Sequence, residues 1–237
     1  MIGTFAGLRP LLQPADKSTG QSTKVSREHT VTEVIPGVTV IAGGKLTTYR
    51  QMAEDAVDFA LGKQLSKEIP SVTDRTPLEG ADGYFALENS KAAIAEDHDL
   101  TVDQVEDLLD RYGSDISIIF DMIKERPDLG RRLHGAPEYL LADVVFGVTH
   151  EGALHIEDIL ERRVRLSFTK RDAGLDALDE VADLAAEYLG WDEKTKEHEK
   201  NLYREICDAV WTAQKIESES EAQAVRESVQ PVRPFLT

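Results

Sequence analysis

The chain has 237 residues, of which 41% are hydrophobic, and its formal net charge at pH 7 is −17. This length and apolar content suffice for one large or two modest domains, and the acidic balance argues against a nucleic-acid partner. The single cysteine, Cys207, excludes an internal disulfide, and no apolar run is long enough to predict a membrane-spanning helix.

The beginning of the chain differs in charge from the remainder. Up to Arg50 it contains six Lys/Arg residues and three acidic residues, which gives a formal charge of +3. The residues after Arg50 therefore carry −20, since the total is −17. Such an asymmetry predicts two parts with different roles.

The first element predicted along the chain is a short strand. Residues 38–42 form a β-branched run that lies between Pro36-Gly37 and Gly43-Gly44. A short apolar run bounded by turn residues is typical of a buried strand.

A helix is predicted directly after this strand. Thr47 or Thr48 is suited to capping its N-terminus, and apolar residues then keep helical spacing until Gly62, which is expected to close the helix. A glycine turn followed by a helix N-terminus suits an anionic or electron-rich ligand, and Lys45 adds a full positive charge there.

The glycine turn is not a nucleotide-binding P-loop. That motif requires Gly-x-x-x-x-Gly-Lys-Ser/Thr, whereas Thr39 occupies the first glycine position and Leu46 follows Lys45. From these residues alone, a tight turn with a solvated lysine and an anion-binding turn both remain open.

The chain beyond Gly83 is predicted to be helical. One helix is expected to open with a capping box formed by Thr101 and Gln104, and another to end at Gly190. The predicted helices cover residues 84–97, 101–112, 116–126, 138–149, 156–166, 175–189 and 192–220. The predicted fold is therefore mainly α, with a short N-terminal β-containing segment followed by an all-α C-terminal helical domain.

The histidines and arginines of the helical region do not predict a separate site. His150 and His155 are five residues apart, so on a helix they point in different directions and no metal site is expected. Arg162, Arg163 and Arg165 follow several acidic residues, which indicates a helix end with local ion pairs. The alternative is that this arginine cluster docks the helical domain onto another domain.

Three motifs occur in order in the N-terminal segment. They are Gly7-Leu8-Arg9-Pro10-Leu11, then Ser26-Arg27-Glu28-His29, then Gly43-Gly44-Lys45-Leu46-Thr47-Thr48-Tyr49-Arg50. In this combination the chain resembles the FAD-dependent glycerol-3-phosphate dehydrogenases. The resemblance is strong over residues 4–61, and weaker similarity continues through the helical region.

The resemblance implies roles for individual residues. Arg9, Arg27 and Lys45 are expected to bind the substrate phosphate, since several charge-assisted hydrogen bonds suit a phosphate dianion. The N-terminus of the helix is expected to point at the flavin ring. Four residues of the glycine turn are expected to bind the cofactor: Gly44, Lys45, Leu46 and Thr47. His29 is a further candidate.

The implied reaction is oxidation of sn-glycerol 3-phosphate to dihydroxyacetone phosphate by hydride transfer to FAD. The chain lacks the Gly-x-Gly-x-x-Gly motif of a dinucleotide fold. We therefore expect a C-terminal fragment that needs an N-terminal FAD-binding domain and that alone neither retains FAD nor turns over substrate. The complete enzyme is expected in the cytoplasm, peripheral to the inner face of the cell membrane, where the family passes electrons to quinone.

The expected domain organisation follows from the same resemblance. Residues 1–62 would be the C-terminal piece of the FAD and substrate domain, 63–83 a linker, 84–225 the helical domain and 226–237 a tail. Two alternatives stay open: a non-catalytic helical interaction or regulatory module, and a related flavin oxidoreductase acting on amino acids or amines. A phosphate substrate is favoured over a carboxylate substrate, because a carboxylate needs only one bidentate arginine whereas this chain offers three cations, Arg9, Arg27 and Lys45.

Overall fold

The computed structural model describes residues 28–229 of the chain. They divide into two compact units, one running to Leu78 and the other beginning at Glu79. We call residues 28–78 the hairpin–helix unit and residues 79–229 the helical unit. The prediction of a mainly α fold is confirmed.

The hairpin–helix unit consists of two strands and one helix. Strand β1 (His29–Ile35) pairs antiparallel with β2 (Val38–Gly43), and both strands contact α1 (Tyr49–Glu68). The position of β2 agrees with the sequence prediction, but the expectation that it is buried is wrong. Val38 and Val40 are 44% and 38% exposed, and no residue between 28 and 78 is fully buried. Two strands and one helix are too few to enclose a core.

Helix α1 is interrupted at the predicted glycine but does not end there. Gly62 has φ +77° and ψ 163°, outside helical geometry, and helical residues resume on its far side as far as Glu68. Glycine adopts this backbone conformation without a steric penalty, which explains the local break.

The helical unit contains nine α-helices, one π-helix and a small β-hairpin within the described residues. The helices are α2 (Tyr84–Asn89), α3 (Lys91–Asp97), α4 (Val102–Tyr112), α5 (Ile116–Glu125), α6 (Leu141–Thr149), α7 (Leu166–Thr169), α8 (Leu178–Leu189), α9 (Glu193–Ala213) and α10 (Glu219–Glu227). Strands β3 (Arg132–Leu133) and β4 (Ala136–Leu140) pair antiparallel, and the π-helix spans Asp158–Arg163.

Local signals predicted several helix ends correctly. Thr101 accepts a hydrogen bond from the backbone N–H of Gln104 at 3.2 Å, and the Gln104 side chain accepts from the backbone N–H of Thr101 at 2.9 Å. This is the predicted capping box of α4. Gly190 ends α8 with φ +69°, the left-handed conformation expected of a C-terminal glycine cap.

Other predicted helices are shorter or divided. The helix predicted at residues 84–97 breaks at Ser90, and the resulting α2 and α3 each pack against α4. The helix predicted from residue 138 begins at Leu141, because residues 136–140 pair with β3 instead. These differences arise from contacts between segments, which override local helical preference.

Residues 156–166 and 192–220 also differ from the helices predicted there. A π-helix replaces most of the first predicted helix, and Arg165 follows it with a φ of +56°. Helix α9 ends at Ala213, and the Ser218 side chain then caps α10, which packs against α9. Ser218 offers the backbone an alternative to continuing the helix.

The core of the helical unit is organised around α6. Every residue from Leu141 to Gly147 is buried, so this helix is covered on all sides, and it contacts α5, α8 and the π-helix. A helix that is buried around its whole circumference belongs at the centre of a domain. Fully inaccessible apolar residues from the surrounding elements complete the core: Val105, Leu108, Ile119, Ile159, Leu160 and Val181.

Cys207 lies in this core and is expected to be unreactive in the folded protein. It is 5% exposed, and burial raises the pKa of its thiol to about 11. With this pKa, roughly one thiol in a thousand is ionised at about pH 8. Only the ionised thiolate reacts, so the reaction is slow. A chromogenic disulfide reagent should therefore label the native chain slowly and the urea-unfolded chain at once. Immediate labelling of the native chain would contradict the buried position.

Candidate functional site

The glycine–lysine turn, residues 43–48, joins the hairpin to α1. Gly43 and Gly44 have φ values of +83° and +77°, so two consecutive residues adopt left-handed conformations. Lys45 is extended, with φ −138° and ψ 151°, and residues 46–48 form a single 3-10 turn before α1 begins. The chain therefore reverses from the sheet into a helix over a few residues, as the strand, turn and helix pattern predicted.

Gly44 occupies a position that disfavours a side chain. A Cβ atom placed there would lie 2.5 Å from Met52 Sδ and 3.2 Å from His29 Cβ. Because φ is also positive, both backbone conformation and space favour glycine. The turn thus passes close between the start of β1 and the first turn of α1.

The residues after Gly44 lie at the surface. Lys45 and Thr47 are exposed, and Leu46 is 88% exposed. The first N–H groups of a helix have no acceptor within the helix and carry the positive end of its dipole. The turn therefore exposes a lysine charge and an uncovered apolar side chain next to the backbone N–H donors of a helix start.

The predicted threonine cap takes a different form. Thr48 is the residue before α1, but its hydroxyl makes no capping bond to the helix. Instead the Thr48 hydroxyl and the Thr48 backbone N–H both donate to the Lys45 carbonyl, each at 3.0 Å. These bonds close the 3-10 turn and leave helix N–H groups available to a ligand.

The last residue of the motif, Arg50, has a structural partner. Its guanidinium donates to the Thr73 carbonyl and hydroxyl, and its Nε donates to Tyr49 Oη at 3.1 Å. Arg50 thus ties the start of α1 to the segment after the helix. This contact accounts for the arginine at the end of the motif without a ligand.

His29 is held by a carboxylate that the sequence did not indicate. Its Nε2 lies 2.6 Å from Asp55 Oδ2, and Asp55 Oδ1 accepts from Gln51 Nε2 at 2.8 Å. The hydrogen bond from Gln51, and then that from His29, lower the pKa of Asp55. An ionised carboxylate only accepts, so His29 Nε2 donates. No spacing rule links residues 29 and 55, which is why Asp55 was missed.

The structure brings together only part of the predicted site. Gly44, Lys45, Leu46, Thr47 and His29 lie on or beside the same turn. Arg9 and Arg27 lie outside the described residues, so their phosphate-binding role stays a prediction.

The arginine cluster of the helical unit is engaged in local contacts. Arg162 pairs with Glu157 and Asp158, as the sequence indicated, and Arg163 donates to the Glu151 carbonyl at 2.6 Å from Nη2.

Within residues 28–229, no three His, Cys, Asp or Glu side chains are grouped so as to hold a metal ion. None of the described helices is long and apolar enough to cross a membrane.

The described residues thus form a small hairpin–helix unit, with a glycine turn leading to an exposed helix N-terminus, followed by a separate helical unit. The model of the family described as the C-terminal domain of alpha-glycerophosphate oxidase matches residues 71–196, more than half of the chain. The chain belongs to this family.

Relatives of known identity agree with this membership. The chain is 40% identical over 231 residues to a glycerol-3-phosphate dehydrogenase of Mycobacterium leprae, covering 98% of this chain and 39% of that protein. The values are the same for glycerol-3-phosphate dehydrogenase 2 of Mycobacterium tuberculosis. The resemblance inferred from the three motifs is thus confirmed, and the chain spans about two fifths of the length of these curated relatives.

A solved structure is also similar to the chain. The glycerol-3-phosphate dehydrogenase of Bacillus halodurans, determined in complex with FAD, matches with a TM-score of 0.56 and 25% sequence identity. The match covers 70% of this chain and 34% of that protein.

Proposed function

We propose that this chain supplies one wall of the substrate and flavin pocket of an FAD-dependent glycerol-3-phosphate dehydrogenase. The observation that carries the proposal is the glycine–lysine turn, which places Lys45 and the N–H groups of a helix start on an exposed surface. Family membership and the relatives that share it support this assignment.

The residues of the turn suit a phosphate ester beside a flavin. Lys45 offers an ammonium group to the phosphate dianion of sn-glycerol 3-phosphate, and Arg9 and Arg27 are proposed to add bidentate guanidinium contacts. The N–H groups of Leu46 and Thr47 are proposed to face the flavin, where donors stabilise negative charge. The absence of a side chain at Gly44 lets the turn pack closely against Met52 and His29.

The proposed reaction converts the substrate to dihydroxyacetone phosphate. Bound FAD supplies a two-electron acceptor for the hydride that leaves C2 of the substrate. The proton of the C2 hydroxyl passes to a base that lies outside the described residues of this chain. The role of the turn is to hold the phosphate so that C2 is presented to the acceptor.

The surface of the hairpin–helix unit supports a shared pocket. Large apolar side chains there are exposed, including Ile35 at 62%, Val34 at 57% and Leu46 at 88%. Such a surface is typical of a contact with another protein region. We propose that an FAD-binding domain covers this apolar surface, and that this chain alone neither retains FAD nor turns over substrate.

The proposed domain organisation has four parts. Residues 1–62 would belong to the domain that binds FAD and substrate, 63–83 to a linker, 84–225 to the helical domain and 226–237 to a tail.

The complete enzyme is proposed to lie in the cytoplasm against the inner face of the membrane and to pass electrons to quinone. A chain with a net charge of −17 is repelled by anionic lipids. We therefore assign the membrane contact to another part of the enzyme. Fractionation of cells, with and without a high-salt wash, tests the placement.

A chimera tests the proposed activity and the role of Lys45. This chain would replace the matching segment of the Mycobacterium leprae glycerol-3-phosphate dehydrogenase, and turnover would be followed with a dye acceptor. Lys45→Met is expected to raise KM for sn-glycerol 3-phosphate about ten- to a hundredfold, because a lost charge-assisted hydrogen bond costs about 1.5–3 kcal/mol.

The control for Lys45→Met is Lys63→Met, which removes an exposed lysine from the same unit. It should leave KM within about twofold, since a solvated surface charge contributes little. Equal KM values for the two variants would contradict the phosphate role of Lys45. Turnover of amino acids in place of glycerol phosphate would favour the related amino-acid oxidoreductases, and a chimera without flavin turnover would favour a non-catalytic module.

A further inference from the structure

His29 and Asp55 connect the two flanks of the glycine–lysine turn. His29 lies on β1 directly opposite Gly43, the last residue of β2. Asp55 lies on α1, beyond the far end of the turn. Their 2.6 Å hydrogen bond therefore closes a loop that contains residues 43–48.

The His29 side chain is placed to hold the turn rather than to meet a ligand. The His29 side chain is only 21% exposed, and its Nε2 is already engaged by Asp55. Its Cβ lies 3.2 Å from the position that a Gly44 Cβ would occupy, with Met52 Sδ 2.5 Å from that position. The turn is thus confined between β1 and α1 at the residue before Lys45.

A turn with two glycines needs such support. Gly43 and Gly44 each have access to more backbone conformations than other residues, so the turn would otherwise sample many orientations. A ligand that must first order a mobile segment binds more weakly, because part of its interaction energy is lost to that ordering. A bond between the flanks reduces this cost in advance.

We propose that His29 and Asp55 are a positioning pair, which fixes the glycine–lysine turn so that Lys45 faces an anionic ligand and the N–H groups of Leu46 and Thr47 face the flavin. The inference rests on the proposed function for the identity of that ligand, glycerol phosphate. The pair itself contacts neither substrate nor cofactor. The sequence motif includes His29, but no spacing in the sequence indicates that Asp55 is its partner.

The first experiment uses the full chain without any cofactor. Amide hydrogen exchange at residues 44–48 would be compared in the parent chain, His29→Ala, Asp55→Ala and Asp55→Asn. We expect at least a fivefold faster exchange in both alanine variants. Asparagine keeps an acceptor for His29, so Asp55→Asn is expected to restore most of the protection. Circular dichroism would show that each variant remains helical.

A matched control separates the pair from a general charge effect. Asp58→Ala removes the same charge from the same helix, three residues further along α1. It should leave exchange at the turn unchanged. The proposal is overturned if Asp58→Ala and Asp55→Ala accelerate amide exchange at the turn equally. It is also overturned if neither His29→Ala nor Asp55→Ala accelerates that exchange.

The second experiment measures function in the flavin-containing chimera. His29→Ala and Asp55→Ala are expected to raise KM for sn-glycerol 3-phosphate at least fivefold while kcat falls by less than twofold, and Asp55→Asn should return KM towards the parent value. Unchanged KM, or a loss confined to kcat, overturns a positioning role. If the parent chimera shows no turnover, the proposed function fails, whereas the exchange experiment still decides whether the pair holds the turn.

Discussion

Replacing Asp143 with alanine is expected to lower the free energy of unfolding by about 3–5 kcal/mol, as the loss of one partner from a buried ion pair does. The Asp143 side chain is 0% exposed. It accepts hydrogen bonds from Arg111 Nε at 3.0 Å, Tyr112 Oη at 2.6 Å and the Leu140 backbone N–H at 2.7 Å. Alanine would leave all three donors without this acceptor.

The position of Asp143 explains why the effect should be large. Through Leu140 it caps the start of α6, the central helix, and through Arg111 and Tyr112 it joins α4 to that start. Burial raises the pKa of the Asp143 carboxyl, while Arg111 and the Tyr112 hydroxyl act in the opposite direction. These donors are therefore what allows a carboxylate to stay in the interior.

Urea unfolding followed by tryptophan fluorescence measures the change, since Trp191 and Trp211 both pack against the core of the helical unit. Asp183→Ala is the control, because Asp183 is 69% exposed and pairs with Lys196 at the surface. Its removal should change stability by less than about 1 kcal/mol. A similar loss in both variants would show that the buried network does not stabilise the fold.

Gly113→Ala is expected to destabilise the helical unit by about 2–5 kcal/mol, from backbone strain together with overpacking. Gly113 has φ +57° and ψ −130°, a conformation almost restricted to glycine. A Cβ there would lie 2.0 Å from the Gly80 carbonyl oxygen. That oxygen accepts from the Ser114 backbone N–H at 2.8 Å, so it cannot move away without breaking the bond.

Gly152→Ala separates the two causes. Gly152 also has a positive φ, +65°, but a Cβ at this position has nothing within 4 Å. Only the conformational cost of about 1 kcal/mol is expected. Thermal unfolding of both variants provides the comparison, and equal shifts in Tm would contradict a clash between residues 80 and 113.

The glycine–lysine turn could be predicted because its signals are local. Two glycines, a following lysine and a helical pattern lie within a few residues, and each constrains its neighbours through backbone geometry. Burial of the preceding strand could not be judged in the same way. Exposure of Val38 depends on which segments are present to cover it, and that information is not contained in the alternation of residues.

The amino-acid sequence by itself determined the mainly α fold, the capping box of Thr101 and Gln104, the glycine cap at Gly190 and the family resemblance of the N-terminal motifs. All of these depend on residues that are close along the chain. Only the tertiary structure decided that Asp55 holds His29, that Asp143 joins α4 to α6, and that Gly113 meets Gly80. These contacts join residues 26 to 33 positions apart, and their energies depend on burial and distance, which only the folded chain establishes.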